Sequence, residues 1–102
     1  MTDKELLEFA AKAIGLKLRY NYIGGRDANQ PWDPLNDDGD ALRLAVNLGI
    51  CFGPNFDEDT AVAFGREGRN ICEEYECDKY AATRRAITRA AAQVGEAMTS
   101  AA

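Results

Sequence analysis

The stretch Trp32-Asp-Pro-Leu-Asn-Asp-Asp-Gly-Asp-Ala-Leu-Arg-Leu-Ala-Val-Asn-Leu-Gly-Ile50 decides the fold, because it combines an aromatic anchor, a helix start, an apolar helix and a helix stop. Pro34 fixes its own φ angle and biases Asp33 towards an extended conformation, so we expect a turn before the helix. The indole of Trp32 can bury a large apolar area. We therefore expect Trp32 and Pro34 to anchor the polar loop of residues 24–34 to the core.

The helix inside this stretch has defined ends. Asp37 or Asn36 can act as the N-cap, and the carboxylates of Asp38 and Asp40 favour the positive end of the helix dipole. Gly49 stands where a left-handed residue commonly ends a helix. One apolar stripe comprises Ala41, Leu44, Ala45 and Leu48, and Leu42 and Val46 form a second. A helix that is apolar on nearly every side is predicted to be buried.

Length and composition indicate one folded domain. The chain has 102 residues with a hydrophobic share of 46%, so we expect a single domain over residues 1–102, frayed at 99–102. No apolar run is long enough to span a membrane, and the N-terminus lacks the basic-then-apolar order of a signal peptide, so we expect a cytoplasmic protein. The formal net charge of −5 disfavours generic binding to nucleic acid.

The sequence holds three cysteines and no histidine. Cys51, Cys72 and Cys77 lack a Cys-x-x-Cys spacing, so we predict no metal and no cofactor. We expect reduced, mostly buried thiols, with a disulfide pair as the alternative. Because a serine or cysteine nucleophile needs a base and histidine is absent, the sequence predicts a protein that is not an enzyme. Two carboxylates that meet in a cleft would leave acid–base chemistry open.

The rest of the chain predicts two further helices and a small sheet. Thr2 and Glu5 form a capping box before an amphipathic helix that ends at Gly15. Strict alternation over residues 16–23 predicts one strand with a buried and an exposed face. Three more strands, forming an antiparallel meander, are predicted at residues 50–52, 60–64 and 70–77.

Two of these strands carry irregularities. Gly53-Pro54 interrupts the first of them. In the last, Glu73 breaks the apolar face, so this strand is either an edge strand or bulged. The shared faces are Val62 with Phe64 in the middle strand, and Ile71 with Tyr75 and Cys77 in the last.

Asp78 is the predicted N-cap of the last helix, whose many alanines would let it lie close to a neighbour. Its apolar line comprises Tyr80, Thr83, Ile87, Ala91, Val94 and Met98. The predicted order is α-β-α-β-β-β-α. The predicted class is α+β: a small antiparallel sheet of three to four strands, with N-terminal, central and long C-terminal helices packed on it.

Several of these segments resemble small prophage-encoded accessory proteins, and are similar to the phage α-β-α sandwich group of uncharacterised domains. The resemblance lies in the Thr-capped first helix, the Trp-Asp-Pro-Leu loop from Trp32, the run Asp37–Val46 and the closing segment Asp78–Met98. It is weak over Cys51–Cys77. The resemblance implies a phage context and a sandwich fold, and it carries over no catalytic residue.

Two charged groups are candidate partner-binding sites. Asp57, Glu58 and Asp59 form an acidic cluster, which would bind a divalent ion, mimic nucleic-acid phosphates or simply solvate a loop. Arg84, Arg85 and Arg89 lie close together on the last helix. They would grip phosphates or an acidic partner, or form surface ion pairs of about 0–1 kcal/mol each.

We expect a non-enzymatic prophage accessory protein that binds a host macromolecule in the host cytosol, blocking a defence system or modulating a host enzyme. The first alternative is a nucleic-acid-binding module that uses the basic face of the last helix. The second is a protein that binds a small ligand or a nucleotide. The sequence leaves the oligomeric state open, a homodimer included.

Overall fold

The computed structural model confirms the α+β class. It describes residues 1–16, 18–19, 22–23, 32–55, 57–65, 70–76 and 78–100. The helices are α1 (Asp3–Ala13), α2 (Asp38–Leu48) and α3 (Lys79–Ser100). The strands are β1 (Leu18–Arg19), β2 (Tyr22–Ile23), β3 (Cys51–Asn55), β4 (Thr60–Phe64) and β5 (Ile71–Glu74). The helix α3 thus continues into the segment expected to fray, of which Ala101 and Ala102 lie outside the described residues.

The helix α1 begins with the predicted capping box. The backbone N–H of Glu5 donates to Thr2 Oγ1, and the backbone N–H of Thr2 donates to Glu5 Oε1, each at 3.2 Å. The donation from the Thr2 backbone lowers the pKa of Glu5 below its ordinary value, because it favours the charged carboxylate. The chain turns after the helix at Gly15, whose φ is +75°.

The single strand predicted over residues 16–23 is wrong, because this region forms two short strands. Leu18 pairs with Ile23 and Arg19 pairs with Tyr22 in an antiparallel hairpin. Alternation with a period of two is equally compatible with one strand or with two paired strands, and the sequence between β1 and β2 contains no glycine or proline to separate them. The side chains of β1 and β2, and the predicted loop up to residue 31, lie outside the described residues.

The main sheet is the predicted antiparallel meander, in the order β3-β4-β5. The predicted interruption at Gly53-Pro54 is wrong, because β3 runs through both residues and Pro54 pairs with Ala61. A proline is compatible with an edge strand whose missing N–H would face outwards. The strand β5 is the other edge, as predicted, and it ends at Glu74; Cys77 is not among the described residues.

The core lies on one face of this sheet. Ala61 and Ala63 of β4 and Ile71 of β5 are buried and face α3. Val62 and Phe64 share the opposite face, as predicted, where Phe64 is exposed.

The helix α2 has the predicted ends but not the predicted burial. Asp37 Oδ2 accepts the backbone N–H of Asp40 at 2.8 Å, and Gly49 has a φ of +66°. The first apolar stripe is buried or half-buried, whereas Leu42 and Val46 of the second are 53% and 73% exposed. The prediction of an all-round buried helix is therefore wrong. The reason is that, of the described elements, only α3 packs closely against α2.

The centre of the fold is α3, because α1, α2 and the three strands of the main sheet all pack on it. Asp78 caps it by accepting the N–H groups of Tyr80 and Ala81. The predicted apolar line is only partly buried, since Tyr80 and Met98 are exposed. A helix with neighbours on several sides needs a wide buried surface, and small residues supply it: Ala82, Ala86, Ala90, Ala91 and Ala92.

The closest approach is between α1 and α3 at Gly95. A Cβ on Gly95 would overlap the carbonyl oxygen of Phe9 and lie 2.7 Å from its carbonyl carbon. The Nζ of Lys12 donates to Thr99 Oγ1 a turn further along α3. The two backbones therefore touch, and no side chain larger than hydrogen fits between them.

Trp32 is 4% exposed, and the chain around it is held to α2 by carboxylates. Asp40 Oδ2 accepts the backbone N–H of Asp33 at 2.9 Å. Asp33 Oδ1 in turn accepts the N–H of Leu35 at 3.2 Å, which closes the turn around the buried Pro34. The carboxylate of Asp40, predicted to act on the helix dipole, thus also fixes the entry of the chain into α2.

We expect Trp32→Ala to lower the free energy of unfolding by about 3–5 kcal/mol, because it empties a buried aromatic site. Urea unfolding followed by circular dichroism measures this change, and blue-shifted Trp emission in the wild type should accompany it. The matched control is Tyr80→Ala, an aromatic that is 64% exposed, which should cost less than about 0.5 kcal/mol. Equal losses in the two variants would contradict the anchoring role.

Gly95→Ala should destabilise the protein, although glycine to alanine in an open helix stabilises by about 1 kcal/mol. We expect a loss of about 1–3 kcal/mol, because α1 must move away from α3. The control is Gly39→Ala in α2, where a Cβ meets chiefly the flexible end of Arg43. Chemical denaturation measures the free energy of unfolding of both variants, which should fall for Gly95→Ala and rise or stay unchanged for Gly39→Ala. A more stable Gly95→Ala variant would refute the contact.

Candidate partner-binding groove

An open groove of about 720 Å³ lies between α2, β3 and the first half of α3. Its walls are mainly apolar. They include Leu42 from α2, Phe52 and Pro54 from β3, Tyr75 beyond β5, and Tyr80 and Ile87 from α3.

The groove exists because the edge strand β3 extends beyond the helix α3 that packs on this face of the sheet. Phe52 pairs with Ala63, so it points to the same face of the sheet as the buried alanines of β4. Because β3 is the edge strand, however, Phe52 is 43% exposed. Leu42 and Tyr80, at 53% and 64% exposed, stand on the neighbouring helices. Three large side chains from separate elements therefore present apolar surface around one depression.

An ion pair closes one side of the groove. Arg84 Nη1 lies 2.7 Å from Asp38 Oδ1, and Arg84 Nε donates to the carbonyl of Leu35 at 2.9 Å. The guanidinium thus ties α3 to the turn before α2 and to its first residue. On the rim, the Lys79 ammonium lies 5.9 Å from the centroid of the Tyr80 ring, within cation–π range.

The predicted acidic cluster forms the turn between β3 and β4, here called the acidic turn (Asp57, Glu58 and Asp59). The N–H of Asp57 donates to Asn55 Oδ1 at 3.2 Å, and Asp59 has a φ of +51°. The carbonyl of Asp59 accepts the N–H of Tyr75 at 3.1 Å, and Asp59 lines the groove. The structure therefore brings Asp38 and Asp59 to one groove, whereas Asp37 and Asp40 cap and clamp α2 elsewhere.

The three arginines of α3 are engaged within the protein. Besides the pair of Arg84, Arg85 Nη1 lies 2.9 Å from Asp3 Oδ1 and Arg89 Nη1 lies 2.7 Å from Glu73 Oε1. Glu73 broke the predicted apolar pattern of its strand because it faces α3 and takes this ion pair. Binding of phosphates by these arginines would have to compete with intramolecular carboxylates.

Metal-binding groups and free thiols are the two chemical features that the sequence raises. Among them, no three His, Cys, Asp or Glu side chains are grouped so that they could hold a metal ion. Cys51 and Cys72 are free thiols and both are exposed, so the prediction of burial is wrong for these two. They pair with Phe64 and Val62, which places them on the face of the sheet that points away from α3.

No family model, curated protein or solved structure matches this chain. The resemblance to prophage accessory proteins therefore stays a prediction. No helix in the described part of the chain is both long and apolar enough to cross a membrane.

Sequence reasoning missed the groove, although one signal was available. The second apolar stripe of α2 is that signal, but the helix pattern predicts Leu42 to be buried. The sequence predicts only a strand at Phe52, and it places Tyr80 on the apolar line of α3. Of the predicted partner-binding residues, only Asp59 and Arg84 line the groove.

We expect no binding to a short DNA duplex even at low salt, because Arg84, Arg85 and Arg89 are paired internally. Fluorescence anisotropy with a labelled duplex tests this. Phosphate contacts would instead give an affinity that falls with salt at a log–log slope of roughly −0.9 per contact. If the wild type shows such salt-dependent binding and the double variant Arg85→Gln with Arg89→Gln loses it, the nucleic-acid alternative is correct.

Proposed function

We propose that this chain is a non-enzymatic protein that binds a partner protein through the groove. The observation that carries the proposal is the exposure of Leu42, Phe52 and Tyr80 around one apolar depression. Large contiguous apolar patches on a protein surface commonly mark interaction sites. Large aromatic side chains are also enriched among the residues that dominate binding energy.

The chemistry of the rim favours a protein over a small ligand. Small-ligand sites combine apolar walls with a few polar groups directed at the ligand. Here Asp38 and Arg84 satisfy each other across the rim. The carboxylate of Asp59, which also lines the groove, would repel the phosphates of a nucleotide.

The phage context adds a proposal about the partner. The resemblance of the segments at Trp32, Asp37–Val46 and Asp78–Met98 supports a prophage accessory protein in the host cytoplasm. Its partner would then be a host protein, such as a component of a defence system or an enzyme that it modulates. This part of the proposal rests on the resemblance alone.

The experiment is affinity capture from a bacterial lysate with the tagged protein, followed by mass spectrometry. Leu42→Lys places a charge in the groove and should reduce recovery of the partner by about tenfold or more. The control is Val46→Lys, one turn further along α2 and outside the groove, which should leave recovery unchanged. Melting curves should show both variants to be folded, since both side chains are exposed.

Two outcomes would count against this function. One is that no protein is retained above background by the wild type. The other is that Leu42→Lys and Val46→Lys retain the same proteins as the wild type, which would move the interaction away from the groove.

A further inference from the structure

The charges around the groove are not balanced. In the part of the chain that the structure describes, no ion pair involves Asp57, Glu58 or Asp59, and all three are exposed. Arg84, by contrast, is held by Asp38 and by the Leu35 carbonyl. Asp59 of the acidic turn lines the groove, and Asp57 and Glu58 lie beside it in the same turn, whereas no ion pair among the described residues engages the lining cation Lys79. The local field therefore favours a ligand with positive charge.

The edge of the sheet restricts the backbone conformation of a ligand. The strand β3 borders the groove, and a free edge would normally accept an added strand. Pro54 is the fourth of the five residues of this edge strand and has no N–H to offer. An extended peptide along β3 would lose a hydrogen bond at that position. A helix satisfies its own backbone groups and suffers no such loss.

We infer, on the basis of the proposed function, that the occupant of the groove is a basic amphipathic helix of a partner protein. Its apolar face packs against Leu42, Phe52 and Tyr80, with anchors at helical spacing. Its lysine or arginine side chains lie against the acidic turn. The exposed carboxylates act mainly on the rate of encounter and its salt dependence, while the apolar contacts set the lifetime of the complex.

The test is selection from a displayed library of random peptides of about 16 residues, long enough for a helix of about four turns. Selection on the wild type is paired with counter-selection on Leu42→Lys. Enriched peptides should carry net positive charge and apolar residues at i, i+3 or i+4, and i+7. A synthetic copy of the best peptide should gain helical circular dichroism on binding.

The charge component is tested with Asp57→Asn, Glu58→Gln and Asp59→Asn combined. Asparagine tolerates the left-handed backbone at position 59, so the turn should stay folded. The association rate of the selected peptide should fall about threefold to tenfold at low salt and much less at high salt. The control, Glu8→Gln with Glu96→Gln, removes exposed carboxylates that do not line the groove and should leave the rate unchanged.

The outcomes separate this inference from the proposed function. If the peptides that depend on the groove are acidic, proline-rich or extended, the inference of a basic helix is wrong, but the proposal that the groove binds a protein stands. An unchanged association rate in the triple variant would overturn the role of the acidic turn. If no selected peptide depends on Leu42, the basic helix is overturned; if affinity capture also retains no groove-dependent protein, the proposed function fails with it.

Discussion

The structure depends on how closely other elements can approach α3. At Gly95 the backbones of α1 and α3 are in contact, and buried alanines along the rest of α3 present small side chains to its other neighbours. Small side chains let one helix touch α1, α2 and the sheet together, because each neighbour can lie near its axis. Larger residues would push these elements apart and open gaps, which a close-packed interior does not tolerate.

The groove follows from this arrangement. Because α3 occupies the centre and is the one described helix or strand that packs closely on α2, Leu42 on the opposite side of α2 is exposed. In the same way, the edge strand β3 extends beyond the part of the sheet that α3 covers, so Phe52 is exposed. The apolar surface around the groove is thus the part of two amphipathic elements that the central helix does not reach.

The helix ends and the antiparallel meander were predictable from the sequence, whereas the packing of the other elements around α3 was not. The caps at Thr2, Asp37, Gly49 and Asp78 were predicted because each requires a particular side chain at a particular step of the backbone. The central position of α3 was missed because alanine contributes little to an apolar pattern, so the pattern predicts α2 to be the more buried helix. The paired strands at residues 18–23 were missed because their alternation has no break.

The candidate site was predictable only in part, for a related reason. Asp59 and Arg84 were predicted as candidates because they are charged. That they line the same groove depends on how the sheet packs against α3, which the sequence does not show. Phe52 and Tyr80 resemble core residues in sequence, since their exposure results from an uncovered edge rather than from any local pattern. The role of Glu73 was also hidden, because a charge within an apolar strand has a clear meaning only when Arg89 is seen opposite it.

The contact between the first and last helices also has a consequence for synthesis on the ribosome. Arg85 donates to Asp3, which lies 82 positions earlier, and α1 packs chiefly on α3. The helix α1, the helix α2 and the sheet all leave the ribosome before the surface that buries them has been made. Contacts of such long sequence separation form slowly, because a large loop must close first. The nascent chain therefore holds its apolar faces uncovered until α3 emerges, and the core forms only after nearly all of this sequence has been translated.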